Sequence, residues 1–306
     1  MKRLFIVNPS SASGSNLDEF SAAKQYFERE LGEFSYVLTK DLSDISVQTK
    51  KALKDGAEQI IAVGGDGTIH WVVNGFFEDG KAINPDALLA ISNTGTGSDY
   101  FRTIVDGVKN TDWKKVVTDH EVKEVDLGYI HFADGKEDQF FNNMASLGVS
   151  ADIVTKKEEL PDWFPSKLSY LFSTLLSITT YSSKRVEIDF GEGKMKACDL
   201  FSLFISKGIY AGGGMKFGEG ALLDSGKFLL TLVEKIPPVK ILKNLKKLYF
   251  QGLDTLPEVT RVESDHLSFH SDEEIGVELD GEFIGSFDQF KISLQAKAIK
   301  VCFPKQ

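Results

Sequence analysis

The sequence predicts an α/β unit built on a parallel sheet, followed by an antiparallel all-β unit. Three observations carry that expectation. Early in the chain, short apolar runs alternate with single stretches of helical periodicity, the pattern of parallel strands joined by right-handed crossovers. From Val122 onward, apolar runs follow one another across turns with few helical stretches between them, the pattern of antiparallel strands. The length of 306 residues also exceeds what a single core usually serves.

The first strand, residues 4–7, ends at Asn8-Pro9 and a Ser/Gly-rich loop. A helix follows with Leu17, Phe20, Phe27 and Leu31 on one stripe; Asn16 with Glu19 resembles a capping box, and Gly32 stops it. Residues 34–38 form a second strand ending at Thr39, and residues 44–56 a helix with Ile45, Thr49 and Ala52 inward. The run Ile60-Ile61-Ala62-Val63 gives a third strand, then a glycine loop and a helix whose apolar face is Ile69, Val72, Val73 and Phe76. Residues 88–91 give a fourth strand, which also ends in a glycine loop, Asn93-Thr94-Gly95-Thr96-Gly97-Ser98-Asp99. Residues 122–132 and 139–145 read as one hairpin about an Asp134-Gly135 turn. Residues 167–181 form an apolar helix with Leu168, Leu171, Phe172, Leu175 and Ile178, too short and too rich in hydroxyls to span a membrane. Further strands are expected at 185–190, 195–206, 227–233, 259–269, 275–279 and 290–294, and a last one at 298–301 fits either unit.

Composition removes several functions. Apolar residues make up 42% and aromatics 11%, enough for packed cores. The formal net charge is −10 and the pI near 5.1, against the basic surplus of a nucleic-acid binder. Cys198 and Cys302 are the only cysteines, too few for a disulfide framework and without metal-ligand spacing. The N-terminus lacks a signal-peptide core and no apolar stretch approaches ~18 residues, so the expected location is cytoplasmic.

The chemistry concentrates in the two glycine loops. In Gly64-Gly65-Asp66-Gly67-Thr68-Ile69-His70 the glycines let a ligand approach the main chain, and the following helix turns unpaired N–H groups toward the loop. That suits phosphate, and the acid suits a phosphate-bound Mg²⁺. The same letters also fit a plain turn with an Asp cap. Loops at the carboxyl ends of neighbouring parallel strands converge on one crevice, so residues 64–68 and 95–99, with Asn8 and Thr39, are expected to face one ligand.

Five segments in order then make nearly the whole chain similar to the bacterial diacylglycerol and lipid kinases, relatives of the sphingosine kinases. Gly64-Gly65-Asp66-Gly67-Thr68 matches the family's GGDGT, shared more distantly with NAD kinases and phosphofructokinases. Gly95-Thr96-Gly97-Ser98-Asp99-Tyr100-Phe101-Arg102 resembles GTGNDFAR, with Ser98 in place of Asn. Asn142-Asn143-Met144-Ala145-Ser146-Leu147-Gly148 resembles a central N-x-A-x-x-G segment, and Tyr210-Ala211-Gly212-Gly213-Gly214 the glycine run before the metal loop. Val277-Glu278-Leu279-Asp280-Gly281-Glu282 matches the C-terminal DGE segment.

The resemblance implies a three-layer α/β nucleotide-binding domain with a parallel sheet, residues 1–124 plus 296–306. It implies an antiparallel β-sandwich lipid-substrate domain at 125–295. It further implies Mg²⁺-assisted transfer of the γ-phosphate of ATP to the hydroxyl of a lipid such as diacylglycerol, in the cleft between the two. Asn8, Thr39, Gly64, Gly65, Asp66, Gly67, Thr68, Ile69, His70, Gly95, Thr96 and Gly97 would hold the nucleotide. Asp66 and Asp99 would orient Mg²⁺, and Arg102 would offset phosphate charge. Asp280 would be the base, with Glu282 the second choice. In isolation Asp280-Gly281 is also an ordinary hairpin turn, and His70 an ordinary helix-surface histidine.

Two positions depart from the family. Its metal loop carries an acid just before the glycine; Leu222-Leu223-Asp224-Ser225-Gly226-Lys227 has Ser225 there. Asp224 and the carbonyls of Leu222 and Lys227 remain as ligands, although one residue's shift along an extended segment points a side chain the other way. Lys207 stands where Asn usually precedes Gly208. Two alternatives stay open: the shared GGDGT permits an NAD kinase-like enzyme with a soluble acceptor, although the other segments argue for the lipid family, and Ser225 permits a non-catalytic nucleotide-binding homologue. Residues 235–253 carry five lysines and no acid, with Ile241, Leu242, Leu245, Leu248 and Tyr249 on one face. That pattern fits transient contact with a membrane surface, and fits better a helix packed on the β unit with a solvated lysine face. Oligomeric state is unreadable from the sequence, a homodimer included.

Overall fold

A computed structural model describes residues 1–10, 15–95, 97–108, 111–133, 135–161, 166–191, 193–244 and 256–305. The chain begins with β1 (Arg3–Val7), α1 (Ser15–Leu31), β2 (Ser35–Leu38), α2 (Leu42–Lys54), β3 (Gln59–Val63) and α3 (Asp66–Gly75). The short β4 (Phe77–Glu78) and β5 (Lys81–Ala82) precede β6 (Leu88–Ile91), α4 (Asp99–Ile104) and α5 (Trp113–Thr118). Then come β7 (His120–Phe132), β8 (Gln139–Phe141), β9 (Met144–Gly148), α6 (Val149–Glu158) and α7 (Ser166–Thr180). The remainder is β10 (Lys184–Asp189), β11 (Met195–Ser206), β12 (Phe228–Glu234), α8 (Pro238–Asn244), β13 (Val259–Ser264), β14 (His266–Leu279) and β15 (Glu282–Pro304).

β1 pairs in parallel with β2 and β3, β3 with β6, and β6 with the far end of β15, where Lys300 lies opposite Leu88. All of β3 is buried, as a parallel strand covered on both faces requires. Because these strands run the same way, Asn8, Thr39, Gly64 and Ser92 leave the sheet at one end. That shared direction is what assembles the site. The strands from β7 through β14 pair antiparallel with one another and with β15.

β7 and β15 run side by side through both units and join them into one sheet of 13 strands. Val125, Leu127, Val301 and Cys302 lie in the core of Phe5, Phe27 and Ile61, whereas Ile130, Phe132, Phe290 and Ile292 lie in the core of Leu203, Leu230 and Val277. The ladder shifts between Gln295 and Ile299, where three residues bulge opposite Asp126.

Three expectations change. The hairpin arm at 139–145 divides into β8 and β9, because the Asn142 and Asn143 main chain turns to bind Asp280. The pieces at 275–279, 290–294 and 298–301 belong to long strands, since Ser271-Asp272-Glu273-Glu274 and residues 296–298 are bulges within β14 and β15 rather than ends. The segment 259–269 instead breaks at Asp265 into β13 and β14.

No helix among the described residues is long and apolar enough to cross a membrane. α7 is nonetheless inverted over most of its length, Ile178 near its end being the buried exception. Ser169, Ser173 and Ser177, one turn apart, are buried, while Leu168, Leu171, Phe172, Leu175 and Leu176 are exposed. Of the basic segment, α8 shows Ile241 packed on the small core of Phe201, Phe204 and Val233, with Val239 and Leu242 exposed. Leu245, Leu248 and Tyr249 lie outside the described residues, as do Asp134 and Thr96.

Candidate active site

The two glycine loops touch. A Cβ on Gly95 would stand 2.3 Å from the Gly65 Cα, and one on Gly64 2.2 Å from the Thr68 Oγ1. Only glycine permits that approach. Gly65 caps α3 without a side chain, so the first turn of the helix faces the loop with no side-chain cap laid over it. Asn8 Nδ2 donates to Thr68 Oγ1 at 3.1 Å, and the Gly64 N–H donates to Ser92 Oγ at 3.2 Å. Thr39 is buried with both its N–H and its hydroxyl on the Val7 carbonyl. The predicted loop residues therefore meet at one end of the sheet, joined by Ser92, which the sequence reading overlooked. Asn16, expected as a cap, sits inside α1 and reaches back to the Asn8 carbonyl at 3.5 Å.

Ile69 and His70 behave differently from expectation. The Ile69 N–H is spent on the Gly65 carbonyl at 3.1 Å, inside the helix. His70 is fully buried, not on the helix surface, and its Nδ1 lies 2.9 Å from Asp280 Oδ2. Its side chain is engaged with the acid.

Asp66 opens α3 and accepts the N–H groups of Asp99 and Tyr100, each at 3.1 Å, from the first turn of α4. One side chain thus orders both loops. Burial, and then the nearby Asp99 charge, push the Asp66 carboxyl up to about 6. Burial also raises Asp99. Asp99 Oδ2 accepts the Gly213 N–H at 2.8 Å, while Oδ1 is buried with no hydrogen-bond partner, Arg102 Nε being 3.9 Å away. Two crowded carboxylates with an open oxygen fit a hard dication whose remaining ligands are phosphate and water. Among the described residues, no group of three or more His, Cys, Asp or Glu side chains forms a metal cage on its own.

Asp280 occupies the opposite wall at a positive φ of 53°. Its carboxylate is saturated: Oδ1 accepts the Asn143 and Met144 N–H groups at 2.9 and 3.0 Å, and Oδ2 faces the Asn142 N–H at 3.1 Å and His70. Glu278, buried beneath, binds the Ser146 hydroxyl and the Gly281 N–H, and burial pushes it up to about 7. Glu282 differs from both. It is half-buried, burial raises its carboxyl, and a Cβ on Gly67 would fall 2.1 Å from its Oε1. Among the described residues, no donor is hydrogen-bonded to it. The free carboxylate beside the Asp66 loop is Glu282, and Asp280 is the anchor that sets the turn presenting it.

Residues 2–130 match the diacylglycerol kinase catalytic domain, and residues 143–303 match the YegS C-terminal NAD kinase beta sandwich-like domain. The chain belongs to the diacylglycerol kinase and YegS lipid kinase family. A diacylglycerol kinase from Staphylococcus carnosus is 24% identical over 89% of this chain and 85% of its own length. One from Bacillus subtilis is 23% identical over 100% and 98%. A solved diacylglycerol kinase structure from Bacillus anthracis shares the fold with a TM-score of 0.68, at 21% identity over 99% of this chain and 96% of that one.

In this lipid kinase the predicted metal loop is a poor place for a metal ion. Leu222 and Asp224 are exposed. Ser225 Oγ hydrogen-bonds within the loop, to the carbonyls of Leu222 and Lys227 at 3.3 and 3.0 Å. The Lys207 ammonium, wholly buried, lies 2.9 Å from the Lys227 carbonyl and 2.9 Å from Asp126 Oδ2. A positive charge already fills the space between the candidate ligands, so Mg²⁺ does not fit there. Asp126 carried no motif in the sequence. Its one outward sign is a lone acid in the apolar run Val125-Asp126-Leu127.

Proposed function

We propose that this kinase transfers the γ-phosphate of ATP to the hydroxyl of a diacylglycerol-like lipid, with Glu282 taking the hydroxyl proton. The observation that carries the reading is the contrast between two neighbouring acids. Asp280 has every lone-pair direction occupied, whereas Glu282 is unpaired, raised by burial and aimed at Gly67. A base must reach the proton it removes, and only the second acid has a free oxygen to do so. The first turn of α3, which Gly65 leaves without a side-chain cap, faces the phosphates, and Thr68, held by Asn8, presents its hydroxyl to them. Asp66 and Asp99 would hold Mg²⁺, which supplies charge neutralisation on the phosphate oxygens.

The acceptor side rests on α7. Its exposed Leu168, Leu171, Leu175 and Leu176 form an apolar stripe on a helix that buries serines. An inverted helix gains free energy by laying that stripe against acyl chains. We assign it as the surface that meets the lipid layer.

The test is phosphate transfer from labelled ATP with Mg²⁺, offered diacylglycerol, sphingoid bases, other lipid alcohols and NAD. Transfer to diacylglycerol is expected. Transfer to NAD alone overturns the lipid reading, and nucleotide binding without transfer to any acceptor shows a non-catalytic homologue.

A further inference from the structure

We infer that Lys207 is a built-in cation, standing in the metal loop where a divalent ion would otherwise be required, so that the joint between the two units is fixed without metal. The Lys207 Nζ lies 2.9 Å from Asp126 Oδ2, 2.9 Å from the Lys227 carbonyl and 3.5 Å from Ser225 Oγ. These are the oxygen types a hard cation selects: one carboxylate, one carbonyl and one hydroxyl. The ammonium and the carboxylate are 0% and 1% exposed. A buried charge persists only when paired and hydrogen-bonded, and this pair is both.

The charges also explain why two positions depart from the family together. A dication facing Asp126 needs a second acid to reach neutrality, and the position for that acid holds Ser225. A monovalent ammonium facing Asp126 is already neutral. A second acid in the buried centre would leave one negative charge uncompensated. The exposed Asp224 adds its charge only from the loop's solvent side. Ser225 and Lys207 are thus one exchange, a dication and an acid replaced by a tethered monocation and a hydroxyl.

The ammonium sits at a junction. Asp126 belongs to β7 and accepts the Lys297 N–H from the β15 bulge at 3.0 Å and the Gly226 N–H at 2.8 Å, while its own N–H donates to the Leu223 carbonyl at 2.8 Å. Lys207 follows β11, and its main-chain N–H donates to the Asn143 carbonyl at 2.9 Å, in the same peptide unit as the Met144 N–H that cradles Asp280. The cation therefore ties the β7–β15 ribbon to the peptide units that aim the catalytic turn.

Thermal melts of the nucleotide-free chain in EDTA and in rising Mg²⁺ test this, using an Asp99→Asn background so that the loop alone is read. With Lys207 present, the melting temperature is expected to be the same throughout. Lys207→Met is expected to lower it by about 5–10 °C, from the loss of one partner of a buried ion pair. Lys207→Asn with Ser225→Asp is expected to gain a saturable Mg²⁺-dependent rise that EDTA reverses. A saturable Mg²⁺ rise with Lys207 intact overturns the inference, as does Lys207→Met melting like its parent. Should Lys207→Met fail to fold, the double variant is prepared in Mg²⁺ and stripped; unfolding on stripping supports the inference, and indifference to it overturns it.

Discussion

Exchanging each acid of the Asp280-Gly281-Glu282 turn for its amide separates anchor from base. Asp280→Asn keeps one oxygen and puts an NH₂ where two N–H donors now point. If the amide faces Asn143 and Met144, two buried N–H groups lose their acceptor; if it faces the other way, Asn142 and His70 do. Two hydrogen bonds to a charged group at ~1.5–3 kcal/mol each make a loss of ~3–6 kcal/mol. At roughly 2 °C per kcal/mol for a chain of this size, the melting temperature falls by ~6–12 °C. Glu282→Gln removes no hydrogen bond among the described residues and relieves the desolvation that raises its carboxyl. Its melting temperature should hold within a degree or two, while kcat falls by ~10²–10⁴-fold. Scanning fluorimetry and initial rates of labelled phosphate transfer to diacylglycerol in vesicles read both quantities on the same preparations. Near-normal kcat in Glu282→Gln would falsify the assignment. So would an Asp280→Asn protein that melts normally and is inactive.

Other perturbations give separable outcomes. Asp66→Asn should abolish Mg-ATP-dependent transfer with the protein still folded, judged by circular dichroism and rate; full activity refutes the loop assignment. Asp66 and Glu278 are raised in the fold to about 6 and about 7, from 3.8 and 4.5. The native state therefore binds more protons than the unfolded chain between those values, and metal-free stability falls as pH climbs from about 4 to about 7, by ~3 kcal/mol for each acid. Urea melts across that range measure the slope, and Asp66→Asn should remove its share of it. Gly67→Ala adds a methyl against Glu282 Oε1; the carboxylate swings aside, so kcat should drop at least tenfold with nucleotide affinity nearly kept, as steady-state kinetics will show. Leu171→Gln and Leu175→Gln on the exposed α7 stripe should leave melting within ~0.5 kcal/mol. They should weaken sedimentation with lipid vesicles and slow transfer there, but not to a short-chain soluble diacylglycerol; unchanged vesicle binding removes α7 from the lipid surface.

The sheet end proposed for phosphate was legible because its signals are local. A four-residue apolar run followed by Gly64-Gly65-Asp66-Gly67 states strand, close approach and helix start within eight letters. That Asp280 is saturated while Glu282 is open was not legible, since it depends on Asn142, Asn143 and Met144, more than a hundred residues away, delivering their N–H groups to one acid and not the other. The long β14 and β15 were cut short because polar letters at a bulge look the same as polar letters at a turn. α7 was recognised as apolar, but its direction was hidden: periodicity shows that a helix has two faces, and only its neighbours decide that the serine face goes inward. Lys207 read as a departure without a partner, because Asp126 has no motif to point at it.

The β15 strand also sets an order of events during synthesis. β6 has β3 on one side and the end of β15 on the other, and Ile299, Val301 and Cys302 complete the core that Phe5 and Phe27 begin. Those residues leave the ribosome roughly two hundred positions after β6 does, so the sheet made first waits with an open edge for the strand made last. The Gly95 loop, which leaves the end of β6, therefore lies beside an open edge until β15, the strand that also carries Glu282, is made.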